Sequence, residues 1–155
     1  MTELNTGNPA PALVLATDGE GQFDLAAHKG RKVVVYFYPK ADTPGCTTEG
    51  QDFSALADQF EAANTVVIGI SRDPVKKLDK FKTKHGLKVI LGSDEEGVVT
   101  EAWGVWILKK LYGREYMGIE RATFLIDSQG AIAGVWHNVK VKGHASAVLK
   151  AAQAL

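Results

Sequence analysis

The sequence holds a single cysteine, Cys46, in 155 residues. A solitary thiol makes no disulfide within the chain and no zinc site of paired thiolates, which excludes a disulfide scaffold. An excess of either charge is also missing. Lys+Arg and Asp+Glu each total 18, for a formal net charge of zero. A nucleic-acid or membrane-surface binder would ordinarily show a basic excess, so neither partner is expected. No stretch reaches the roughly 18–20 consecutive apolar residues of a membrane helix. The opening Met1-Thr2-Glu3-Leu4-Asn5 has no basic region followed by an apolar run, and no Asn-x-Ser/Thr sequon occurs. These absences together point to the reducing cytoplasm.

What is present is the composition of a globular protein, 45% hydrophobic and 23% charged. At this length a second core is not expected, and residues 1–155 read as a single domain. Leu13 to Leu15 and Phe23 to Leu25 flank the turn Thr17-Asp18-Gly19-Glu20-Gly21 and predict a β-hairpin. Val33 to Tyr38 and Val66 to Ile70 are continuous β-branched and aromatic runs, the pattern of strands covered on both faces. Between them Phe53, Leu56, Ala57 and Phe60 share one helix face. Asp73 and Pro74 predict the cap and first residue of a helix with Val75, Leu78 and Phe81 inward. A short strand over Lys88 to Leu91 and a helix over Asp94 to Trp103 are expected next. Residues 104–121 show no clear period and are taken as a loop. Ala122 to Asp127 and Ala131 to Trp136 flank Ser128-Gln129-Gly130 as a second hairpin, and Ala145, Val148, Leu149 and Ala152 stripe a last helix. This order predicts an α/β, thioredoxin-like fold with a central mixed sheet, flanking helices and an N-terminal β-hairpin.

Four histidines, His28, His85, His137 and His144, lack metal-ligand spacing, so no metal is expected. Neither a phosphate-binding loop nor a dinucleotide fingerprint is present, and no cofactor is expected. The lysines at 76, 77, 80, 82 and 84 read as a solvated helix face. The remaining candidate is Cys46. A free cysteine is commonly a small buried hydrophobe. Here it sits among turn-forming and polar residues in Thr43-Pro44-Gly45-Cys46-Thr47-Thr48-Glu49, at the start of a helix. The thiolate is the reactive form of cysteine, and helix N-termini favour it. Thr43 and Glu49 occupy the positions three before and three after, so no Cys-x-x-Cys exchanger exists. The arrangement suggests a lone nucleophile.

Pro39-Lys40-Ala41-Asp42-Thr43-Pro44-Gly45-Cys46 resembles the Pro-x-x-x-Thr-x-x-Cys signature of peroxiredoxins. Thr-Pro-Gly-Cys-Thr-x-Glu resembles their PrxQ branch, the bacterioferritin comigratory proteins. The segments Tyr112 to Arg121 and Thr123 to Asp127 extend the likeness, which spans most of residues 5–153. The resemblance implies the peroxiredoxin variant of the thioredoxin-like fold. It also implies a thiol-dependent peroxidase that reduces hydrogen peroxide and organic hydroperoxides through a Cys46 sulfenic acid, with an antioxidant role. Thr43 would donate its hydroxyl near the sulfur, as would the backbone N–H groups of Gly45 and Cys46. Pro39 would shape the loop and shield the sulfur from water. Arg121 would bring a permanent positive charge, and Glu49 would hold the arginine or the loop. Tyr38 and Trp103 are assigned to core packing.

Many PrxQ proteins place a second cysteine five residues on, where this chain has Gln51, or in the next helix. In that next helix this chain reads Lys80-Phe81-Lys82-Thr83-Lys84-His85. The resemblance therefore implies a one-cysteine enzyme. An external thiol, either thioredoxin or glutaredoxin with glutathione, would resolve it. It leans toward a monomer, with a dimer as the alternative. Two other readings share the fold: a redox sensor or chaperone-like binding module without turnover, and a plain disulfide reductase.

Overall fold

The computed structural model describes residues 4–155. Its centre is a seven-stranded mixed sheet in the order β2-β1-β5-β4-β3-β8-β9. The strands are β1 (Val14–Thr17), β2 (Gly21–Asp24), β3 (Lys32–Phe37), β4 (Thr65–Ser71) and β5 (Ile90–Ser93). β6 (Trp106–Leu111) and β7 (Arg114–Ile119) form a separate two-stranded sheet, and β8 (Ala122–Ile126) and β9 (Ile132–Trp136) complete the main one. The helices are α1 (Pro44–Ala55), α2 (Ala57–Ala62), α3 (Val75–His85), α4 (Val98–Ala102) and α5 (His144–Gln153). β3 pairs in parallel with β4, as β4 does with β5, while β3 pairs antiparallel with β8.

The continuous apolar runs are explained by burial on both faces. Along β3, Val33, Val35 and Phe37 enter one core with Leu13, Phe23, Val99, Trp103 and Phe124. Val34 and Tyr36 enter the other with Phe53, Phe60, Leu78, Phe81 and Val148. Thus α1, α2, α3 and α5 cover one face and α4 covers the other, into which Leu15 and Phe23 of the edge strands β1 and β2 also pack. Cys46 belongs to the first core, beside Tyr38 and Ala41.

Five local expectations are corrected. The helical face over residues 53–60 is divided at Leu56, whose φ of −100° and ψ of 7° separate α1 from α2. The bend lets Phe53 and Phe60 bury together, with ring centroids 5.9 Å apart. Asp73 does not cap α3; Pro74 holds the cap position, and the Asp73 carboxylate turns to the Ala41 N–H. The helix expected from Asp94 begins only at Val98. The Asp94 carboxylate accepts from the Val99 and Thr100 N–H groups and so caps it from outside. Residues 104–121 are not a loop. They form the β6–β7 hairpin, turned by Tyr112 and Gly113 with φ of 52° and 77°. Positive φ at both central residues gives the twist that two-residue hairpins prefer. The short strand over Lys88 to Leu91 is displaced to Ile90–Ser93.

Candidate active site

β3 ends at Phe37, and the Tyr38 N–H still bonds the Ile70 carbonyl at 3.1 Å. Pro39 then stops the ladder, because it has no N–H to give. Two carboxylates hold the loop that follows. Asp73 Oδ2 accepts the Ala41 N–H at 2.7 Å. The Asp42 carboxylate lies 3.0 Å from Lys84 Nζ and 2.8 Å from His85 Nε2, both at the end of α3. Those two hydrogen bonds, to His85 and then Lys84, hold the exposed Asp42 carboxyl below its ordinary range. Thr43 is extended and stands at the cap position, Pro44 begins α1, and Cys46 falls in the first helical turn. The Thr43 hydroxyl donates to the Lys40 carbonyl at 2.7 Å. Its proton is therefore committed to the loop, and its oxygen keeps lone pairs for an incoming donor.

Arg121 enters from the start of β8, which lies beside β3. Its Nη2 donates to Cys46 Sγ at 3.4 Å and its Nη1 to Glu49 Oε1 at 2.7 Å. The structure thus joins Cys46, Glu49 and Arg121 directly, across 75 sequence positions between the sulfur and the guanidinium. A Cβ on Gly45 would lie 3.1 Å from Arg121 Nη2, so glycine there lets the guanidinium approach the helix end. Cys46 is 2% exposed and Glu49 is 1% exposed, so interactions within the cluster are screened little by water. Pro39 is half-buried and lines a groove with the β6–β7 hairpin. Trp103 lies in the core on the opposite sheet face, whereas Tyr38 shares the core with the sulfur.

Burial pushes the Glu49 carboxyl up to about 7, against the opposing pull of Arg121. Its Oε2 has no hydrogen-bond partner, which is why desolvation prevails. Burial also works against the charge on Arg121, but Cys46 and Glu49 outweigh it and hold the guanidinium more firmly protonated. Tyr38 is raised by burial and remains a neutral phenol. His144, at the start of α5, is lowered to about 4 by burial and then by Arg121. Its Nε2 lies 2.7 Å from the buried Thr123 hydroxyl.

Sequence reasoning missed Asp42, Asp73, Lys84 and His85 as braces of the loop. The positive φ of Asp42, 63°, belongs to a residue type that tolerates such a turn, and that was its only local signal. No group of three or more metal-ligating side chains occurs among the described residues. No helix among them is long and apolar enough to cross a membrane.

Comparison with known proteins places these features in context. Residues 6–135 match the AhpC/TSA family. Peroxiredoxin Bcp of Bacillus subtilis is 46% identical over 147 residues, covering 95% of this chain and 94% of that protein. The Xanthomonas campestris bacterioferritin comigratory protein was solved in work on its alkyl peroxide reduction activity. It superposes with a TM-score of 0.90 at 44% identity, covering 97% of this chain and 98% of that one. A cysteine-to-serine mutant of Xylella fastidiosa PrxQ gives a TM-score of 0.94 at 38% identity, over 99% and 98% of the two chains.

Proposed function

The chain belongs to the AhpC/TSA family, as a peroxiredoxin of the Bcp type, and from that membership we propose residue roles for its chemistry. It is a thiol-dependent peroxidase that takes a hydroperoxide and a thiol reductant. The Cys46 thiolate attacks one peroxide oxygen, the O–O bond breaks, and a sulfenic acid forms. The departing oxygen takes up a proton and leaves as water or an alcohol. Negative charge is shared by sulfur and both oxygens as the bond breaks. Fixed donors aimed at those atoms lower the barrier. The observation that carries this reading is the Arg121 guanidinium, donating to Cys46 Sγ at 3.4 Å while Glu49 anchors its other nitrogen at 2.7 Å.

Thr43 acts as an acceptor for the peroxide O–H, since its own proton goes to Lys40. Pro39 closes the side of the loop toward the hairpin, and Glu49 positions Arg121. With one cysteine, the sulfenic acid is resolved from outside the chain, by thioredoxin or by glutaredoxin with glutathione. In this reading residues 1–155 work as one domain in the reducing cytoplasm, as a monomer with a dimer as the alternative. The test is peroxide consumption with each thiol system supplied side by side. Turnover is expected with at least one of them and is abolished by Cys46→Ser. Undiminished turnover in that variant would overturn the assignment.

A further inference from the structure

Arg121 stands in a gap between two ladders. The β6–β7 pairing ends at Ile119, and the β3–β8 pairing begins at Ala122. Glu120 and Arg121 are therefore the joint between the hairpin and the main sheet, and neither set of strand pairs fixes them. A guanidinium at the end of a long side chain inherits any shift of its backbone. An error of about 1 Å in placing a reacting group costs about 10²-fold in rate. The joint needs another anchor.

The segment from His137 to His144, which follows β9 and leads into α5, supplies it. Both ends of this segment are fixed to β8. The His137 ring meets the buried Phe124 ring edge-on, with centroids 6.2 Å apart. His144 Nε2 lies 2.7 Å from the Thr123 hydroxyl. Between these ends Asn138 has a φ of 46°, a left-handed turn that asparagine tolerates. Two successive N–H groups of the turn point at the joint. Asn138 N–H donates to Glu120 Oε2 at 2.8 Å, and Val139 N–H donates to the Arg121 carbonyl at 2.9 Å. His137 Nδ1 lies 2.9 Å from the same Glu120 oxygen. On the hairpin side the Glu120 N–H bonds the Val105 carbonyl at 2.7 Å. The Glu120 side chain is 15% exposed, so water competes little for its carboxylate. The Arg121 guanidinium bonds Glu49 and Cys46, which leaves the Glu120 carboxylate to the segment that crosses the joint.

We propose that Glu120 is a positioning residue for the peroxidase reaction. By gripping the backbone after β9, it holds the Glu120–Arg121 joint, and with it the guanidinium, in register with Cys46. The proposal rests on the peroxidase reading above and adds a residue to it. Glu120 touches neither sulfur nor peroxide and acts through Arg121. Alanine in its place frees His137 and the Asn138 N–H, and the Val139 bond alone of these three contacts remains. The guanidinium then strays from the sulfur, and the charge of the breaking O–O bond loses a fixed donor.

The test is single-turnover oxidation of the reduced protein by one equivalent of hydrogen peroxide, with Cys46 sulfenic acid followed by mass after rapid quenching. Unaltered protein that forms no sulfenic acid refutes the peroxidase reading itself, whatever the variants do. Glu120→Ala is expected to slow this step about 10-fold. Glu120→Gln keeps a neutral oxygen for the Asn138 N–H, and about a 3-fold loss is expected. The same substitutions are then made together with Arg121→Ala. There neither slows oxidation further, because no guanidinium is left to place. A merely structural role would slow both backgrounds alike. Should Glu120→Ala not fold, Glu120→Gln carries the same comparison. An unaltered oxidation rate in the folded Glu120 variants, or an equal loss with and without Arg121, overturns the proposal.

Discussion

Two buried groups of this protein respond to acid in opposite directions, and separating them is the sharpest check on the site's electrostatics. Glu49 titrates near 7 in the folded chain against an ordinary 4.5. Its folded value is raised, so its contribution is complete below about 4.5 and is lost as pH rises through 7. At about 1.4 kcal/mol per unit, the loss is of order 3 kcal/mol. His144 is lowered from 6.5 to about 4, so its contribution is complete above 6.5 and is lost as pH falls through 4. That loss is also of order 3 kcal/mol. Over the shared window the two slopes oppose each other, and the unaltered protein changes little in stability. Glu49→Gln removes the first slope and uncovers the second, giving a protein that weakens steadily as pH falls below 6.5. His144→Gln does the reverse, and its stability declines as pH rises from 4.5 to 7. Urea unfolding, followed by tryptophan fluorescence across the window, measures both. Parallel stability curves for Glu49→Gln and the unaltered protein would refute the claim that burial holds a proton on Glu49. The same variant puts a neutral amide oxygen where the Glu49 carboxyl accepts from Arg121 Nη1. Its peroxide consumption falls about 10- to 100-fold, the equivalent of one charge-assisted hydrogen bond.

Arg121→Ala removes the donor on the sulfur and slows peroxide consumption by about 10²–10³. Its cost in urea unfolding is smaller, because Glu49 can take a proton once its partner is gone; equal turnover would remove Arg121 from the site. Excess peroxide drives Cys46 past the sulfenic acid to sulfinic acid, since no second thiol intercepts it within the chain. The mass should rise by about 32 Da and activity should be lost irreversibly, and a chain unaltered in mass would contradict this. Tyr112→Asn relieves a left-handed residue at the hairpin turn whose side chain is 95% exposed. Thermal unfolding should show a gain of no more than about 1 kcal/mol, with no change in peroxide turnover.

The central sheet was legible because β3, β4 and β8 are buried on both faces and read as unbroken apolar runs. The β6–β7 hairpin was not legible, for the opposite reason. It projects from the sheet, and Leu108, Leu111, Tyr116 and Met117 are about half exposed. Burial therefore imposes no two-residue alternation on it. Its turn also places Tyr112 where asparagine or aspartate would have signalled the conformation. The spacing of Phe53, Leu56, Ala57 and Phe60 showed which side faces inward, but periodicity carries no mark of the bend at Leu56. At the site, Cys46 announced itself by its local context. Arg121 became a candidate only through the family resemblance, because its meeting with Cys46 is made by the β3–β8 pairing. The braces on the active-site loop lie 32 and 43 positions from the residues they hold. No local pattern encodes those contacts.

The resemblance and the physics converge where the chain is least comfortable. Three buried polar side-chain atoms among the described residues lack a partner, and two of them, Glu49 Oε2 and Tyr38 Oη, belong to the surroundings of Cys46. Each unsatisfied group costs about 1–3 kcal/mol, and an apolar residue of similar shape would be more stable at either position. An arginine drawn close to a buried sulfur meets the same objection, and the neighbouring carboxylate answers it only in part, since Glu49 itself prefers to keep a proton near neutrality. Local rules of stability are broken together in one place and observed through most of the sheet. Such clustering is what a site arranged for the charge of a breaking O–O bond requires. The residues that satisfy a resting structure and those that favour a transient anion are different, and around Cys46 the chain carries the second kind.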